Sequence, residues 1–190
     1  HLIFTSNIKK IKNCNIFIVT VPTPVNADNI PDISILLGAC KQIALILKKN
    51  DIIIFESTVY PGCTEEDCVP IIERLSGLKY NKDFFCGYSP ERISPGDKTK
   101  TLTQITKITS GSNNRILKVV DELYKSIIKV GTFPVSSIKI AEAAKIIENC
   151  QRDINIAFVN ELSILFNLMN INLSEVIDAA STKWNFVKYK

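Results

Sequence analysis

The chain has 190 residues, 46% hydrophobic and 22% charged, a balance that excludes intrinsic disorder and collagen-like repeats. Lys and Arg total 23 against 19 acids, and the net charge of +4 is too small to imply nucleic acid. No uncharged run reaches the roughly 18 apolar residues of a membrane span, and the one through Cys14 to Ala27 contains two prolines.

Asn15-Ile16-Phe17-Ile18-Val19-Thr20-Val21 is short, rich in β-branched residues and almost wholly apolar, as a strand covered on both faces must be. Pro31-Asp32 opens a helix with Asp32 as its cap. Ile33, Leu36, Leu37, Cys40, Ile43, Ala44 and Leu47 follow at helical spacing. A second buried strand is expected over 51–56. Thr64-Glu65-Glu66-Asp67 reads as a cap with acids in the first turn, so a helix follows to about Leu75. Strands are expected over 83–88 and 105–109, a helix over 113–125, and a closing strand over 127–130. Strands alternating with helices in this way indicate βαβ units and a parallel sheet, and the fold class of this part is α/β.

Beyond Pro134 the pattern changes. Residues 137–170 hold neither Pro nor Gly, and their apolar residues recur at helical intervals. A continuous helix there would span roughly 50 Å, which suits a linker or a dimerisation spine. Asn172-Leu173-Ser174-Glu175 has the spacing of a capping box and starts a further helix through Ala180. The domain boundary is expected near 132–137. The chain starts at His1 rather than Met and enters a strand pattern soon after, so it reads as an internal piece of a longer protein.

The six cysteines (14, 40, 63, 68, 86 and 150) sit mostly in apolar runs, which fits reduced, buried thiols of a cytoplasmic protein better than a disulfide framework. Cys63 and Cys68 lack a second ligand pair and the single His is His1, so no structural metal is expected. The basic clusters Lys9-Lys10-Ile11-Lys12, Lys48-Lys49 and Lys98-Thr99-Lys100 are scattered and read as solvated surface.

Ligands of an open parallel sheet bind beyond the carboxyl ends of its strands, and three such ends carry unusual residues. Val21-Pro22-Thr23-Pro24 is either a stiff turn or a rigid edge for a flat ligand. Glu56-Ser57-Thr58-Val59-Tyr60-Pro61-Gly62 is either a capped turn or a pair of hydroxyls facing a phosphate or nicotinamide. Ser89-Pro90-Glu91-Arg92-Ile93-Ser94-Pro95-Gly96 places a Glu-Arg pair between prolines, either as a surface ion pair or as a site for phosphate or carboxylate. On the long helix Glu142, Lys145, Asn149 and Arg152 share a stripe about 80° wide, either a solvated face or the lining of a cleft.

Several strings, in this order, resemble the UDP-glucose/GDP-mannose dehydrogenase family, in the branch acting on UDP-N-acetylhexosamines. They are Val21-Pro22-Thr23-Pro24, Pro31-Asp32, Glu56-Ser57-Thr58-Val59 with Pro61-Gly62, and Ser89-Pro90-Glu91-Arg92-Ile93 with Pro95-Gly96. On the helix they are Ala141-Glu142, Lys145, Glu148-Asn149, Arg152, Asn155-Ile156-Ala157 and Asn160-Glu161, and Thr182-Lys183-Trp184 closes the set. The resemblance implies part of a Rossmann-type NAD-binding domain over 1–134. Residues 135–190 would begin a central all-α domain whose long helix, 137–170, forms a homodimer interface. The implied activity is oxidation of the C6 alcohol of a UDP-sugar to a carboxylate, using two NAD+ and one water, in the supply of polysaccharide precursors.

Carried over by position, Val21, Pro22, Thr23, Ser57 and Thr58 would line the dinucleotide, with Thr58 also close to the chemistry. Arg92 and Ile93 would contact the substrate, and Glu91 would lie near the reacting centre. Lys145 would be the proton donor/acceptor or oxyanion stabiliser, with Asn149 beside it and Arg152 on the substrate. The family's glycine-rich loop precedes the matched segment and its nucleophilic Cys follows it, so no cysteine here is given that role and the chain alone is expected to be inactive. Pro95 stands where UDP-glucose enzymes resemble one another in having a second Glu, which points to the N-acetylhexosamine branch. Two other readings stay open: a β-hydroxyacid or 6-phosphogluconate-type dehydrogenase, and a non-catalytic helical assembly module.

Overall fold

The computed structural model describes residues 2–94, 96 and 101–187. Pro95 and the Lys98-Thr99-Lys100 cluster lie outside the described residues, as does His1. By contacts the chain forms two units, 1–146 and 147–190.

In the first unit five strands make one sheet in sequential order: β1 (Ile16–Val19), β2 (Ile52–Phe55), β3 (Phe85–Tyr88), β4 (Lys107–Gly111) and β5 (Thr132–Pro134). Helix α1 (Ser34–Ala44) connects β1 to β2, α2 (Val69–Ser76) connects β2 to β3, and α3 (Asn114–Lys125) connects β4 to β5. All three helix-linked pairs are parallel, as the βαβ rhythm requires. All four residues of β2 are buried: Ile53 and Phe55 join the core under α1 and α2, while Ile52 and Ile54 join the core under α3.

The sheet is mixed rather than wholly parallel. β3 and β4 pair antiparallel through Gly87 and Gly111 and through Tyr88 and Ser110. The described part of the connection between them holds a single short turn of helix, Leu102–Gln104, and among those residues no helix carries the chain back across the sheet. Gly111 lets α3 approach closely, since a Cβ there would lie 2.7 Å from Leu117 Cα and 2.8 Å from the Ile116 carbonyl carbon.

Residues 127–130 are not the expected closing strand. Ile127 and Ile128 both donate to the Tyr124 carbonyl, finishing α3, and only Ile128 of the apolar trio is buried. Gly131, at φ +92°, then turns the chain into β5. α1 ends at Ala44, short of Leu47, and Asp32 bonds the Ser34 amide at 2.8 Å from just outside the helix. Ahead of α2, Thr64–Cys68 forms a wider π turn, and Thr64 is not a capping side chain: it is buried, and its amide finds a distant acceptor.

Helix α4 (Ile138–Leu168) enters the first unit with Ile138, Ala141 and Glu142 buried, which is why the contact division falls at Ile146/Ile147, beyond the change of pattern at Pro134. The second unit holds the rest of α4 and α5 (Leu173–Ala180). Asn170, at φ 54°, ends the long helix, and the Asn172 side chain accepts from the amides of Ser174 and Glu175 to start α5. Among the described residues no helix is long and apolar enough to cross a membrane.

Candidate active site

The loops that leave β1 and β2 are laced together by their hydroxyls. Ser57 Oγ donates to the Val21 carbonyl at 2.6 Å, and Thr23 Oγ1 donates to the Thr58 carbonyl at 2.7 Å. Tyr88, buried at the end of β3, braces the same loop by donating to the Ser57 carbonyl at 3.1 Å. Between the loops lies a cavity of about 380 Å³. Val21, Pro22, Thr23, Ser57, Thr58 and Glu91 line it, joined by Thr20 and Glu56. Its place beyond the carboxyl ends of parallel strands is where the topology directs a ligand.

Glu91 is fixed from two sides. Its carboxylate accepts from the Arg92 and Ile93 amides at 2.6 and 2.7 Å, and its carbonyl accepts from Lys145 Nζ at 2.5 Å. The α4 ammonium is therefore held against a residue of the cavity wall. Arg92 and Ile93 are not part of that wall: the Arg92 guanidinium donates to the Thr106 carbonyl at 2.8 Å, and Ile93 is exposed.

One turn before Lys145, Glu142 is fully buried and spans the gap to the loop after β2. Its carboxylate accepts from the Gly62 amide at 2.6 Å and from the Thr64 amide at 3.0 Å. Burial pushes its carboxyl above the ordinary range, although the bonds from Thr64 and Gly62 pull the other way. Sequence reasoning gave Glu142 no role beyond its place in the stripe.

It also missed a charged network behind the cavity. Lys107, buried in β4, lies 3.0 Å from Glu56 Oε1 and donates to the Pro90 carbonyl at 3.3 Å. Tyr124 of α3 donates to the same Glu56 oxygen at 2.5 Å, and the ammonium stands 5.1 Å above its ring centroid. The available signal was Lys107 itself, a charge in the middle of an expected strand of a sheet with helical crossovers.

In the second unit, Asn149 Oδ1 accepts from Arg152 at 2.8 Å. Both line a shallow hollow of about 430 Å³ with Cys150, Asp153 and Ile156.

The first unit thus offers an ammonium beside a cavity whose side-chain charges, Glu56 and Glu91, are hydrogen-bond acceptors. A donor-rich ligand fits such walls, and a phosphate does not. The nicotinamide half of a dinucleotide, with its ribose hydroxyls and carboxamide N–H groups, meets that requirement. Among the described residues no group of three His, Cys, Asp or Glu is arranged to hold a metal ion.

Residues 1–128 match the profile of the UDP-glucose/GDP-mannose dehydrogenase family, NAD binding domain, and residues 139–190 match that family's central domain. A UDP-N-acetyl-D-glucosamine 6-dehydrogenase of Salmonella typhi is 56% identical over 190 residues, and one of Pseudomonas aeruginosa is 57% identical over 189. Each of these alignments takes in 100% of this chain and 45% of the relative, so the chain spans somewhat under half the length of the curated relatives it matches. A UDP-D-ManNAc dehydrogenase structure from Pyrococcus horikoshii superposes with a TM-score of 0.89 at 33% identity, over 98% of this chain and 44% of that one.

Proposed function

Because the chain belongs to the UDP-glucose/GDP-mannose dehydrogenase family, we propose that the longer protein it forms part of oxidises the C6 alcohol of a UDP-N-acetylhexosamine to a carboxylate. The observation that carries this reading is Lys145 Nζ on the carbonyl of Glu91, a residue of the cavity wall at the carboxyl end of the sheet. The family match favours it over a β-hydroxyacid or 6-phosphogluconate-type enzyme and over a non-catalytic assembly module.

When bound, NAD+ accepts hydride; conversion of an alcohol to a carboxylate takes two such transfers and one water. Residues 1–134 serve as part of the dinucleotide domain, and 135–190 begin the central helical one. Val21, Pro22, Thr23, Ser57 and Thr58 form the wall against the nicotinamide half. Lys145 takes up or returns the proton at the substrate oxygen and stabilises negative charge there, at a point fixed by the Glu91 carbonyl. Glu91 shapes the reacting centre, while Arg92, Ile93, Asn149 and Arg152 meet the sugar nucleotide.

The exposed apolar side chains of α4, Ile147, Ile154, Ile164 and Leu168 among them, support a homodimer formed through this helix. The same reading makes the enzyme cytoplasmic and its product a precursor for polysaccharide. The test is NADH formation by the full-length protein against a panel of UDP- and GDP-sugars. UDP-N-acetylhexosamines are expected to be the best substrates, and no NADH with any UDP-sugar would refute the assignment.

A further inference from the structure

We propose that Glu56 is a cofactor-binding residue that accepts a hydrogen bond from the nicotinamide half of the dinucleotide, and that Lys107 and Tyr124 are positioning residues that aim it. The inference rests on the dehydrogenase reading.

Burying an ammonium is costly, and it is tolerated only where the charge is paired and its hydrogens are used. Lys107 meets that condition through Glu56 Oε1 and the Pro90 carbonyl, thereby tying the end of β2 to the loop that carries Glu91. Tyr124 donates to the same Oε1, and burial together with Glu56 pushes its phenol upward, so it remains a donor. Both contacts fall on one oxygen. Among the described residues Oε2 accepts no hydrogen bond, while Glu56 lines the cavity.

An ionised carboxylate can only accept, so the group it meets must donate. It also repels phosphate, which excludes the pyrophosphate as its partner. The ribose hydroxyls and carboxamide N–H groups of the nicotinamide half are donors, and the cavity they would enter is flanked by the loops of adjacent parallel strands.

The test uses the full-length protein and its Glu56→Gln and Tyr124→Phe variants, with NAD+ and ADP affinities measured by calorimetry. Gln keeps the size of Glu56 and an oxygen for Lys107 and Tyr124, but turns a cavity-facing acceptor into a donor. Glu56→Gln is expected to weaken NAD+ binding about tenfold, and Tyr124→Phe about threefold, both with ADP binding unchanged. NAD+ affinity unchanged in Glu56→Gln overturns the proposal. Equal losses for NAD+ and ADP overturn it in favour of general distortion, and a raised KM for the sugar nucleotide alone overturns it in favour of a sugar contact. Wild-type protein that binds no NAD+ refutes the dehydrogenase reading itself.

Discussion

Glu142 Oε2 on α4 lies 2.6 Å from the amide nitrogen of Gly62, eighty residues earlier in the chain. With Oε1 on the Thr64 amide, this carboxylate caps the turn that leads into α2 from outside, and it sits one helical turn before Lys145. A single side chain therefore sets both the loop after β2 and the helix that presents the ammonium.

Replacing Glu142 by Ala strips two buried amides of their acceptor and opens a void, so a loss of about 2–4 kcal/mol is expected in urea unfolding. Its raised carboxyl pKa gives a signed pH effect. Between the unfolded and folded pKa values the folded state holds more protons, so the Glu142 contribution to stability falls as pH rises through that window and is flat above it. Glu142→Gln should lack this decline, which a pH series of unfolding curves would reveal.

Asp121 gives the opposite sign. Burial opposes its ionisation, but bonds from Lys125, Thr132 and Thr109 outweigh that and hold its carboxyl below the ordinary range. The stability it contributes is present above the unfolded carboxylate range and disappears as pH falls through its folded pKa. Asp121→Asn should therefore cost most near neutrality and little in strong acid.

On the dehydrogenase reading proposed above, Lys145→Ala in the full-length protein should lower kcat by about 10²–10⁴. Far-ultraviolet circular dichroism should stay unchanged, because Lys145 is half-buried and lies outside the apolar core. Turnover near wild type would remove Lys145 from the chemistry.

Gly111→Ala should not be accommodated. Its Cβ would meet the backbone of Ile116 and Leu117, which cannot swing away as a side chain can, so α3 would have to lift off β4. A loss of about 3 kcal/mol or more, or failure to fold, is expected by thermal melting.

Thiol titration should separate two classes of cysteine. Cys14 and Cys150 are exposed and should react with a thiol reagent in the native protein. Cys40, Cys63, Cys68 and Cys86 are buried and should react only on unfolding. Contacts with Cys40 and Cys63, then burial, push the Cys68 thiol up, and burial does the same for Cys86.

Elements whose character is set by their own residues were legible. The unbroken apolar run of β2 marked a doubly covered strand, and the absence of Pro and Gly from 137–170 foreshadowed α4 at Ile138–Leu168. Residues 127–130 misled because an apolar cluster after a helix closes a turn as readily as it extends a strand; Gly131 decided the matter. The reversed direction of β4 goes with a connection whose described residues hold no crossover helix, which composition does not encode. Glu142 was opaque for a related reason: its partners are backbone amides, alike in every sequence, and Thr64 looked like its own cap. Lys107 was readable in principle, since a charge within a buried strand demands a counter-charge.

Among the described residues β1 pairs only with β2, so one whole side of Ile16-Phe17-Ile18-Val19 keeps its peptide groups unclaimed. Nothing in those four residues, neither charge nor proline, blunts that border, and Ile18 is 48% exposed along it. A border of this kind is open to pairing with a further extended strand.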